Sequence, residues 1–140
     1  MPDPMRTRLD FQPYVNAIAS RMRLGHWRLE ILDEEPENKT AIASIDPWHG
    51  RCAAYIRFAD SFLKDTPEDQ RYTVVHELVH CHLAHADALV RDELAPATET
   101  AWVLAQEHGV DQIAMTIAPS MPLPNVVTGL RLFDLEGASS

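Results

Sequence analysis

Val74-Val75-His76-Glu77-Leu78-Val79-His80 sets two histidines four residues apart, with a glutamate directly after the first. In an α-helix, positions four apart lie one turn apart along the axis and differ by only about 40° around it, so both imidazoles can reach one ion. The flanks specify a helix. Thr66-Pro67-Glu68-Asp69 supplies a capping hydroxyl, a proline at the first helical position and acidic residues in the first turn, so a helix is predicted from about Pro67 into the eighties.

Working outward, a further helix can begin near Pro96, with Ala101, Leu104, Val110, Ile113, Ala114 and Ile117 available for a buried stripe, and it should stop before Pro119. The run Pro119-Ser120-Met121-Pro122-Leu123-Pro124 is too proline-rich for helix and should lie extended over the surface. Upstream, Val15, Ile18, Ala19 and Met22 recur at helical spacing between Pro13 and Gly25. The alternation Trp27, Leu29, Ile31 against Arg28 and Glu30 then reads as a half-buried strand. Thr40 to Asp46 and Cys52 to Phe58 are two more strand candidates, and Pro47 and Gly50 between them suggest an antiparallel meander. The expected class is α+β: an N-terminal helix, a small antiparallel-rich sheet of about three strands, the helix bearing the two histidines and a later helix. One domain should span residues 1–124, with 125–140 an extended or poorly ordered tail.

With 140 residues, 46% hydrophobic and 24% charged, the chain is about one ordinary globular domain long. Twelve basic against 21 acidic side chains give a formal charge of −9, which disfavours nucleic acid, and no apolar run approaches the roughly 20 residues of a membrane span. With no secretory segment at Met1 to Leu9, and only Cys52 and Cys81, a cytoplasmic setting is expected, both cysteines packing as small core residues.

His76 and His80 are candidate zinc ligands, and Glu77 the candidate general base that takes a proton from a metal-activated water. A bound metal could be structural or catalytic, and a glutamate beside the first histidine favours catalysis. The third ligand is not a histidine at the spacing H-E-x-x-H-x-x-G-x-x-H, because Leu83 and Ala86 occupy the glycine and third-histidine positions. His82 and His85 fall on other faces of the helix and read as solvated or structural. Among Glu93, Glu99 and Glu107, only Glu107 lies mid-helix with an acid four residues on, Asp111. Glu107 is therefore the preferred third ligand, ahead of Glu99, and Asp111 can accept a hydrogen bond from a ligand imidazole. A solvated helix face is the alternative. The apolar neighbours Val103, Leu104, Val110 and Ala114 argue instead that the two carboxylates are buried and need partners. Trp27, Trp48 and Trp102 are read as packing residues.

His76, Glu77, His80, Glu107 and Asp111 together resemble the pattern of gluzincin zinc peptidases, and the short chain with strands before the active-site helix looks more specifically like minigluzincins and the often phage-linked ImmA/IrrE-type peptidases. The resemblance covers roughly Trp27 to Pro124. It implies one zinc per chain and a zinc-dependent metallopeptidase, an endopeptidase acting on a peptide or protein segment. It also implies substrate binding as an added strand along the last strand before the active-site helix, at Ala54, Tyr55 and Ile56. Tyr55, His49 and His108 are candidates for steadying the oxyanion. A catalytically silent or latent metal-stabilised interaction module is the alternative function, with the proline-rich tail from Pro119 able to lie across the cleft.

Overall fold

The computed structural model describes residues 7–48 and 50–124. Pro13, early in the sequence of α1 (Gln12–Arg21), fits a first turn that lacks N–H partners, and a 3-10 turn at Arg8–Phe11 leads into it. The chain leaves α1 through Arg23, whose φ of 65° is left-handed, two residues before the glycine expected to stop the helix. Three strands follow, β1 (Arg28–Leu32), β2 (Ala43–Pro47) and β3 (Ala53–Phe58). A single turn, α2 (Asp60–Leu63), precedes the two long helices α3 (Pro67–Arg91) and α4 (Pro96–Ile117). The Thr66 side chain accepts from Asp69 N at 3.1 Å, the N-cap that the sequence specifies for α3.

The α+β class holds, but the sheet is not a meander. Its order is β1-β3-β2, with β1 parallel to β3 and β2 antiparallel to it. The physical reason is burial. In β3, Ala53, Ala54, Ile56 and Phe58 are all buried, so this strand takes the centre and pairs on both sides, while the more polar β2 takes an edge.

One core lies between the sheet, α1 and α3. Phe11, Tyr14, Val15 and Ile18 meet Leu29, Ile31, Ile56 and Phe58 across Val74, Val75 and Leu78. Phe58 and Phe62 stack at 4.1 Å between ring centroids, with Phe11 edge-on to Phe62 at 4.9 Å. Cys81 is buried as expected, whereas Cys52 is exposed, because it sits just before β3 begins.

α4 departs from its expected stripe. Val110 and Ala114 are buried, but Leu104 is 68% exposed and Ile113 42%, because α4 packs on α3 through one narrow face. The segment after α4 also does more than cross the surface. Ala118–Ser120 forms a 3-10 turn, Met121 packs against the core, and the Tyr14 hydroxyl donates to Pro122 O at 2.6 Å. The expected tail at 125–140 lies outside the described residues. Among the described residues no helix is long and apolar enough to cross a membrane.

Candidate metal centre

α3 is two-faced. Val74, Val75 and Leu78 enter the core, while Tyr72, His76 and His80, each four residues from the next, form a ridge turned towards α4. α4 meets this ridge with Glu107 and Asp111, themselves one turn apart. The result is a ladder in which each acid spans two residues of α3. Glu107 Oε1 lies 2.7 Å from His76 Nε2, and its Oε2 lies 3.3 Å from His80 Nε2. Asp111 Oδ1 lies 2.9 Å from His76 Nδ1 and accepts the Tyr72 hydroxyl at 3.1 Å. The His76–Asp111 approach is close but poorly aligned, since Nδ1 is buried without a well-formed hydrogen bond.

His76, His80 and Glu107 each offer a ligand atom, and these atoms all lie within 4.8 Å of one another. Glu77, only 8% exposed, stands beside them, with Oε2 at 3.9 Å from His76 Nε2. Two carboxylates thus share one small space, and among the described residues their ion-pair partners are histidines, with no Lys or Arg paired to either. A buried carboxyl such as Glu77 is costly to ionise without a cation beside it. Burial, reinforced by Glu107, accordingly pushes the Glu77 carboxyl up to about 8. Burial also holds His80 below the ordinary imidazole range, favouring the neutral form that binds a metal. Two imidazole nitrogens and a carboxylate oxygen this close together could hold a metal ion.

The five residues expected at the centre are therefore brought together. Glu107 and Asp111 are nevertheless half exposed, at 46% and 44% of their side chains, and not enclosed by an apolar stripe. Glu99 is held elsewhere, accepting from Arg91 Nε at 3.3 Å. His82 and His85 are exposed, His85 lying against the Trp27 ring with 5.9 Å between centroids. Trp102 does more than pack: its Nε1 donates to Asp87 at 2.7 Å and ties α4 to α3 beyond His80.

Ala54, Tyr55 and Ile56 need correction as added-strand partners. They lie on β3, whose backbone already pairs with β1 and β2, so no free edge remains there. The strand that flanks the centre is β2. A groove of about 630 Å³ runs between β2 and the two long helices, and its walls include Ser44, Asp46, Trp48, His80, Asp87 and Glu107. Of the oxyanion candidates, Tyr55 packs edge-on against Trp48, His108 is exposed on α4, and His49 lies outside the described residues.

Tyr72 is the site residue that sequence reasoning missed. Its signal was present, since it precedes His76 by the same four residues that separate His76 from His80. Burial first, then the Asp111 hydrogen bond, pushes its hydroxyl up to about 12, so it stays a donor. No family model matches this chain, and neither curated proteins nor solved structures give a match to it.

Proposed function

We propose that the chain is a zinc-dependent metallopeptidase that cleaves an extended peptide or protein segment internally. The observation that carries this reading is the convergence of donor atoms from His76, His80 and Glu107 within 4.8 Å, with Glu77 buried beside them. A zinc ion held by these three residues would supply Lewis-acid polarisation of the scissile carbonyl and lower the pKa of water from about 15.7 to about 7. Glu77 handles the proton: its carboxylate accepts one from the attacking water and returns it to the leaving nitrogen. Burial and the Glu107 charge raise the Glu77 carboxyl in the metal-free chain, and a dication held beside it would favour the ionised form that acts as base. Asp111 faces the outer nitrogen of His76 and favours the orientation in which the other nitrogen points inward.

Support for a polymeric substrate comes from β2. This strand lines the groove along its whole length, Ala43 to Pro47, and among the described residues has a ladder on one side only. An extended segment pairing along its outer edge would gain main-chain hydrogen bonds and lie across the histidines. The groove's volume falls within the roughly 300–1,000 Å³ of ligand sites.

The test combines elemental analysis of the purified protein with cleavage of a mixed peptide library. About one zinc per chain is expected, with cleavage in the wild type and none in Glu77→Gln, which keeps its zinc. Zinc without cleavage in the wild type would favour the metal-stabilised interaction module. Absence of metal under native purification and after zinc addition would sink both.

A further inference from the structure

We infer that Tyr72 is a positioning residue of this centre, its hydroxyl fixing the Asp111 carboxylate where that carboxylate can orient His76. The inference rests on the metal-site reading above and deepens it. Asp111 Oδ1 accepts the Tyr72 hydroxyl at 3.1 Å and also lies 2.9 Å from His76 Nδ1, close but poorly aligned for a hydrogen bond. Among the described residues Asp111 has no comparable restraint on its solvent side, its side chain being 44% exposed. A half-exposed aspartate exchanges readily between rotamers and water contacts, so a fixed donor is needed to keep Oδ1 turned inward. Tyr72 is suited to this. Its rigid ring lies beside the His76 ring, 5.9 Å between centroids, and it projects from the turn of α3 immediately before His76.

The ladder also shows why the hydroxyl sits at this place. Glu107 is flanked by two histidines, so either imidazole restrains it. Asp111 is the last acid of the ladder, with His76 on one side, and without Tyr72 its other side would face water. A tyrosine that merely stapled α3 to α4 would stabilise the metal-free chain but would not change how firmly the histidines hold a metal.

The test is a double-variant cycle on the full chain, read as zinc affinity by competition with a chromophoric chelator. Asp111→Asn should weaken zinc about 10- to 100-fold, the range for groups that orient ligands, and Tyr72→Phe, one bond further out, about three- to tenfold. Combined with Asp111→Asn, Tyr72→Phe should add nothing, because its effect runs through that carboxylate. In the cobalt(II)-substituted protein, Tyr72→Phe should shift the visible ligand-field bands. Wild-type affinity in Tyr72→Phe, or an undiminished effect in the Asp111→Asn background, overturns the inference while leaving the metal site standing. If Asp111→Asn fails to fold, the cobalt spectrum of Tyr72→Phe decides, and unchanged bands overturn it. Failure of the wild type to bind zinc at all overturns the metal site and this inference together.

Discussion

Replacing Glu107 by Gln keeps the size of the side chain and removes its charge, so it separates the carboxylate's role with metal from its role without it. In the metal-free chain the loss should be small. The Glu107 side chain is 46% exposed, and its contacts with His76 and His80 are of the kind worth about 0–1 kcal/mol. Part of even that is offset, because Glu107 also repels the buried Glu77. With zinc present the loss should be large. At free zinc of about 100 times Kd, the wild type gains about 2.7 kcal/mol. For 140 residues, at about 2.1 cal/mol/K per residue, that raises Tm by roughly 9 °C. If removing the carboxylate ligand weakens zinc about 100-fold, the same zinc concentration stabilises by only RT ln 2, about 0.4 kcal/mol or roughly 1 °C. Calorimetry of chelator-treated protein, with and without buffered zinc, reads both quantities. A full zinc-induced rise in Glu107→Gln would refute the assignment of Glu107 as a ligand. An equal fall in Tm with and without zinc would make its role structural.

Three further outcomes are expected. Trp102→Phe deletes the Nε1 donor to Asp87, a charged acceptor that is only 20% exposed, and should cost about 1–2 kcal/mol in urea unfolding; a change below about 0.3 kcal/mol would count against this tie between α3 and α4. Phe62→Ala empties the centre of the aromatic cluster and should cost about 3–5 kcal/mol by the same measurement, the range for fully buried aromatics. In the metal-free chain the Glu77 carboxyl titrates near about 8 when folded, against 4.5 ordinarily, so the folded state holds a proton that the unfolded state releases. The stability this contributes is fully present below about pH 4.5 and lost as pH rises through about 8; urea midpoints at pH 5.5 and 8.5 should differ more in the wild type than in Glu77→Gln.

Much of the centre could be read before any fold was known, because its parts repeat at one helical turn. His76 and His80 share a face whatever surrounds α3, and the same is true of Glu107 and Asp111 on α4. The apolar periodicity of α4 was the misleading signal. Leu104 and Ile113 have the spacing of a core stripe but remain largely exposed, since among the described residues the helix packs chiefly against α3. Alternation likewise located the strands without ordering them. Proline and glycine between β2 and β3 do indicate a reversal, and those two strands are antiparallel, but they carry no information about which strand β1 joins.

The sequence by itself determined where α3 begins, through Thr66 and Pro67, and which residues share each helical face, because capping and the 3.6-residue turn are local and set by covalent geometry. Only the tertiary structure decided that α4 runs beside α3 with Glu107 opposite His76 and His80, that Asp111 meets Tyr72, and that β2 borders the groove. Those relations join residues tens of positions apart, and their register follows from how the buried faces of several elements pack at once, which no single stretch of sequence encodes.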